Sequence, residues 1–165
     1  MAWWGIMSRI LSIILLLSFA SYALPDKRVP MDVKAYTVVI DERLGFNTYT
    51  GNASITQGPL TISAEKIQIF SKKQVITKVI ATGTKKKLAY YKQNQSNQSN
   101  FVGAVAQKIV YFIDKQLVQL KGKAHLTQGF ESFSGGVLNY DIKEEKIVAN
   151  KSKDGTQRVR FKIKL

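Results

Sequence analysis

Apolar and polar residues alternate through two long stretches of this chain, and the stretches are copies of one another. In Tyr49 to Phe70, YTGNASITQGPLTISAEKIQIF, apolar side chains fall at every second position, as Ala53 and Ile55 and then Leu60, Ile62 and Ala64. That is the period of a strand with one buried face, because neighbouring side chains on a strand point to opposite sides. Leu120 to Asp141, LKGKAHLTQGFESFSGGVLNYD, repeats the pattern seventy-one residues later. Gly51 matches Gly122, Ala53 matches Ala124, Thr56-Gln57-Gly58 matches Thr127-Gln128-Gly129, and Ser63 matches Ser134. Apolar positions coincide as well, Tyr49 with Leu120, Ile55 with Leu126, Ile62 with Phe133 and Ile67 with Leu138. The Gln-Gly step between the two runs supplies a residue free to take positive φ, which a tight strand-to-strand turn requires.

Weaker copies extend the template. A shift of forty-two residues lays Ala64-Glu65-Lys66-Ile67 and Phe70 over Ala106-Gln107-Lys108-Ile109 and Phe112. Four degenerate units result, near 31–53, 60–83, 101–124 and 133–156. Stacked units of this kind bury a continuous core between neighbours and finish at open edges. Met31 to Ile40 reads as a first strand, with Met31, Val33 and Ala35 on one face, then Val38 and Ile40. Asp154-Gly155 is a turn, and Arg158 to Leu165 reads as a last strand. There Val159, Phe161, Ile163 and Leu165 lie on one side and Arg158, Arg160, Lys162 and Lys164 on the other. Such a strand is either an edge guarded by its cations or an edge that accepts a strand from another molecule.

Met1 to Ala23 has the form of a secretory leader: Arg9, an apolar run from Ile10 to Ala20, and a small-x-small cleavage site at Ser21-Tyr22-Ala23. The apolar run is shorter than the roughly 20 residues a spanning helix needs, which favours cleavage over a retained anchor. Leu24 to Leu165 then forms one domain, without a Pro/Gly/Ser linker to divide it. Export points to an oxidising compartment, yet the chain has no cysteine, so stability rests on sheet packing and not on disulfides. Lys92 to Asn100, KQNQSNQSN, has almost nothing to bury and reads as a loop.

Formal charge is +14, one unit less without Arg9, which attracts polyanions or anionic membranes. Lysines beside Tyr90 and Tyr91 resemble a nucleic-acid surface, but an exported protein leaves the compartment that holds nucleic acid. Catalytic constellations are absent. His125, the one histidine, lies mid-strand, and without cysteine it leaves no zinc set. Asp41-Glu42 and Glu144-Glu145 read as solvated turns. No GxSxG, HExxH or phosphate-cradling glycine loop occurs. Neither an enzyme nor a cofactor is expected.

The phrase TGNASITQGPLTISAEKI resembles the signature of the OstA/LptA-like family. Pro30-Met31-Asp32-Val33 is similar to that family's opening strand, Leu120 to Gln128 to its second glycine-alanine unit, and Gly136 to Ile147 to its late strand and turn. Periodicity alone establishes only a repeated antiparallel β protein. The resemblance implies more: an all-β, open, twisted antiparallel β-jellyroll in the periplasm that binds lipopolysaccharide by its lipid A part. It further implies head-to-tail self-association by strand pairing, with an LptC-like inner-membrane exporter subunit and an LptD-like outer-membrane protein as partners. A membrane-anchored LptC-like subunit and a purely structural β-scaffold remain as alternatives. On the jellyroll reading an apolar trough, left unfilled by the protein's own side chains, holds acyl chains. Its first half is lined by Met31, Val33, Ile40, Ala53, Ile55, Ile62, Ile67, Ile69 and Leu88. The second half contributes Tyr111, Leu120, Leu126, Phe133, Leu138 and Phe161. Edge pairing falls to Met31 and Val33 at one end and to Val159, Phe161 and Ile163 at the other.

Overall fold

A computed structural model describes residues 29–94 and 101–163. The leader Met1 to Ala23, residues 95–100 of the Asn/Gln/Ser tract and the terminal Lys164 and Leu165 lie outside the described residues. Among the described residues twelve strands form one continuous sheet. They are β1 (Asp32–Lys34), β2 (Thr37–Asp41), β3 (Phe46–Gln57), β4 (Leu60–Lys72), β5 (Val75–Thr82) and β6 (Ala89–Asn94), followed by β7 (Phe101–Ala106), β8 (Lys108–Phe112), β9 (Leu117–Gln128), β10 (Glu131–Asp141), β11 (Lys146–Asn150) and β12 (Arg160–Lys162). Every pairing is antiparallel, as short connections demand.

The long strands bend and so serve two half-sheets. The first part of β4 pairs with β6 and its remainder with β5. Likewise β9 pairs with β8 along Leu117 to Lys121 and with β7 along His125 to Gln128. The bends occur at bulges, where the register slips between Thr50 and Ala53 and between Gly135 and Val137. One half therefore runs β1, β3, β4, β6, β7, β9, β10, β12, and the other β2, β3, β4, β5, β8, β9, β10, β11. The halves share a corner and face each other across the core. This is the open jellyroll that the resemblance implies.

Glycine makes the corner. Gly51 has φ +84° and Gly122 has φ +75°, and a Cβ at either would collide with a side chain of the adjoining corner, Tyr36 or Gln107. Backbone bonds close the same corner: Tyr36 N–H donates to the carbonyls of Thr50 and Gly51, each at 3.1 Å, and Gln107 N–H to Gly122 at 2.8 Å. The positive-φ positions follow the seventy-one-residue repeat, Gly45 with Gln116, Gly51 with Gly122, Asn52 with Lys123, Gly58 with Gly129 and Gln74 with Glu145. Backbone shape is thus duplicated even where residue identity is not.

Three expectations need correction. Met31 to Ile40 is two short strands, because the chain turns the corner at Tyr36 and passes from one half-sheet to the other. Lys92, Gln93 and Asn94 belong to β6, since pairing with Leu60 to Thr61 and with β7 outweighs their polarity. The last strand is shorter than its alternation suggests, regular only from Arg160 to Lys162.

Candidate functional site

The register places inward-facing side chains in rows that cross the strands. One row reads Val33, Ile55, Ile62, Tyr91, Ala104, Leu126, Phe133 and Phe161. It is apolar along its whole length, apart from the Tyr91 hydroxyl, and it begins and ends on strands with an unpaired edge, β1 and β12. In the other half a row runs Tyr49, Ile67, Ala81, Ile109, Leu120, Leu138 and Ala149. Next to the corner the inward positions are small. Ala53 pairs with Ala64, Ala89 with Ala106, and Ala124 with Gly135. These pairs continue one another, one step beyond the Ser63–Tyr90 and Val105–His125 pairs. The two half-sheets converge at the corner, and only short side chains fit between them.

Farther from the corner, tyrosines fill the gap. Tyr91 reaches from one half to meet Tyr111 of the other edge-on, ring centroids 6.1 Å apart. Its hydroxyl donates to Gln93 Oε1. Burial pushes the Tyr91 hydroxyl far above its ordinary range, with Tyr111 and Tyr140 adding to the shift, and burial raises Tyr111 in the same direction. Tyr91 and Tyr111 therefore meet as neutral phenols in an otherwise apolar interior, with the buried Tyr140 ring near Tyr91.

Of the expected lining residues, Ala53, Ile55, Ile62, Ile67, Ile69, Leu120, Leu126 and Leu138 are buried in one core cluster, and Met31, Val33, Tyr111 and Phe133 pack against it. Ile40 and Phe161 share the inward face by register but are 59% and 64% exposed, because they lie on the terminal strands, beyond which no described residue covers them. Leu88 is misplaced. It lies in the connection just before β6, half-buried, and is not among the residues packed against the core cluster. The edge residues Val159, Phe161 and Ile163 are exposed beside or on β12. The unfilled lengthwise trough also needs correction. Midway along, Tyr91, Ile109, Leu120 and Leu126 exclude solvent almost completely, so the protein's own side chains occupy that space. Tyr91 and Tyr140 escaped the reading from sequence. Tyr91 is embedded among lysines and amides, and Tyr140 follows the bulge at Gly135, which interrupts the count of alternate positions.

Polar chemistry lies outside. A cavity of about 700 Å³ opens between the turns at Glu42–Gly45 and Ser71–Gln74, away from the core. Asp41 and Asp141 cap turns, accepting from Leu44 N–H and Glu144 N–H, which agrees with solvated turns at both places. His125 faces outward with Nδ1 2.8 Å from Ser134 Oγ. No acidic side chain orients that ring, and no cluster of metal-ligating residues occurs among the described residues.

This architecture has relatives. The sequence pattern of the LptA/(LptD N-terminal domain) LPS transport protein family matches residues 32–146. The lipopolysaccharide export system protein LptH of Pseudomonas aeruginosa is 26% identical over 136 residues, which cover 82% of this chain and 77% of that protein. LptA of Escherichia coli (strain K12) is 29% identical over 124 residues, 75% of this chain and 66% of that protein. LptA of Haemophilus influenzae is 28% identical over 144 residues, 85% and 81%. Among solved structures, the crystal structure of Pseudomonas aeruginosa LptH superposes with a TM-score of 0.75 at 23% identity, covering 85% of this chain and 99% of that one. It is described as the LptA homologous periplasmic component of the conserved lipopolysaccharide transport device, and the likeness is one of fold. With the family pattern spanning most of the strands, the chain belongs to the LptA/(LptD N-terminal domain) LPS transport protein family.

Proposed function

We propose that this protein is a non-enzymatic periplasmic carrier. It binds lipopolysaccharide through the acyl chains of lipid A and forms part of a bridge between inner and outer membranes. The observation that carries the reading is the inward apolar row that runs from β1 to β12 and stops at unpaired edges, with Val33 half-buried at one end and Phe161 exposed at the other. Head-to-tail pairing of β12 with β1 of the next copy would prolong both the sheet and that row. The same edges would meet an LptC-like exporter subunit on one side and an LptD-like outer-membrane protein on the other, with the energy for movement supplied by the exporter. Burying hydrocarbon is worth roughly 0.8 kcal/mol per CH₂, so a chain of about a dozen methylenes gains on the order of 10 kcal/mol from a continuous apolar path. Because the midsection is filled, acyl chains first engage the terminal positions, and deeper seating requires the halves to part at the Tyr91–Tyr111 contact.

Photocrosslinking amino acids at Val33, Ile40 and Phe161 should capture lipopolysaccharide. Probes at Thr56 and Lys162, which the register turns outward, should not. Equal labelling at all five positions would reject the inward-facing assignment.

A further inference from the structure

Outside the core, a second place on the molecule is built to hold something. A cavity of about 320 Å³ opens on the outer face of β9, β10 and β12, and its lining includes Lys123, His125, Ser134, Arg158 and Arg160. Register sets three of these side by side, since Ser134 pairs with His125 on β9 and with Arg160 on β12. Lys123 and Arg158 approach from the corner, where Lys123 takes φ +49°.

The far wall is pre-ordered. In the β11–β12 connection Asp154 accepts from the Ser152 hydroxyl and from both the N–H and the hydroxyl of Thr156, the last two at 3.1 and 2.9 Å. Gln157 N–H donates to Ser152 Oγ at 3.0 Å, and Gln157 Oε1 accepts from Lys123 N–H at 3.0 Å. This ties the connection to the bend in β9 and fixes Arg158 beside the His125–Ser134 pair. Asp154, the acidic residue of this connection, accepts all three bonds at Oδ1 and lines the neighbouring cavity instead of this one. No carboxylate pairs with Lys123, Arg158 or Arg160 among the described residues.

Cations crowded without a counter-charge repel one another unless an anion joins them. Guanidinium groups match the oxygens of a phosphate two at a time, and hydroxyl and imidazole donors beside them complete a tetrahedral anion's contacts. We infer that this cavity is a binding site for a phosphate monoester, reached from outside the sheet and separate from the apolar interior. The inference does not depend on lipid entering that interior.

His125 is the only histidine in the chain, so its ring resonances report on the site without any label elsewhere. With pH held fixed, titrating the full mature chain with phenyl phosphate should shift those resonances saturably, while chloride at equal ionic strength should not. Replacing Arg158→Gln and Arg160→Gln together should weaken binding tenfold or more with an unchanged melting temperature. The charge-matched pair Lys85→Gln and Lys86→Gln, on the exposed β5–β6 connection, should weaken it less than twofold. Phosphatidylcholine vesicles carrying phosphatidic acid identify the source. Vesicle binding displaced by phenyl phosphate assigns a lipid headgroup, and saturable phenyl phosphate binding without vesicle binding assigns a soluble ester. Absence of a saturable His125 shift in the unaltered protein, or equal weakening by the two double variants, overturns the inference.

Discussion

Replacing Ala106 with leucine tests how the interior is occupied. Ala106 has no solvent exposure and faces Ala89, which has none either. Cross-strand Cβ atoms lie about 4.5–5.5 Å apart, so the three added carbons cannot lie flat between β6 and β7. They must reach toward the opposite half, where Ile109 and Leu120 are already closed off from solvent. Were an empty channel there, burying those carbons would stabilise the fold by roughly 2 kcal/mol, at about 0.8 kcal/mol each. In a filled corner, overpacking costs about 1–3 kcal/mol instead. The two accounts differ in sign. Urea unfolding followed by circular dichroism should show a midpoint lower by roughly 1 M, taking a slope near 2 kcal/mol per molar. Ala149→Leu, half-buried on the terminal strand β11 and paired with Leu138, is the comparison. There the added carbons project into an open end, and stability should change by less than about 0.5 kcal/mol. A higher midpoint for Ala106→Leu would refute the packed corner.

Lys108 and Lys121 are directly paired on neighbouring strands, and like charges so placed are destabilising. Lys108→Glu should raise stability by about 0.2–1 kcal/mol at low salt, with the gain shrinking as salt is added. Asp154 has its carboxyl held below the usual range, first by the Ser152 hydroxyl and then by the Thr156 N–H. Since its folded pKa is depressed, the order it gives the β11–β12 connection is complete above the ordinary value near 3.8 and is lost as pH falls through the lower folded value. The Thr156 amide resonance should move in that acidic window, and Asp154→Asn should abolish the transition. Deleting residues 158–165 removes β12 and should eliminate concentration-dependent oligomers in light scattering, whereas unchanged scattering would refute pairing at that edge.

Period-two alternation and the repeated Gln-Gly step were sufficient to place β3, β4, β9 and β10, because each has one buried face and a glycine turn. The buried residues Ile55, Ile62, Leu120 and Leu126 were legible for the same reason. What alternation cannot show is where a strand turns a corner. Tyr36 gives no sign that Met31 to Ile40 divides, since the break is set by main-chain bonds to Thr50 and Gly51, far along the sequence. The same blindness misassigned Leu88, which lies just before the chain re-enters the sheet. Nor does alternation show why Ala53, Ala64 and Ala124 are small, which reflects convergence of the two half-sheets. Fourfold lining by Lys123, His125, Arg158 and Arg160 was not visible either. It depends on β12 pairing with β10 and on a connection tied back to β9, both set by tertiary structure.

Native mass spectrometry of the mature chain with lipopolysaccharide, set against the same molecule stripped of its acyl chains, tests the carrier account most directly. The account predicts adducts of one lipopolysaccharide per chain, distributed over a ladder of oligomers, and none with the deacylated form. A lipid-free monomer in both samples, or equal binding of both forms, would contradict it.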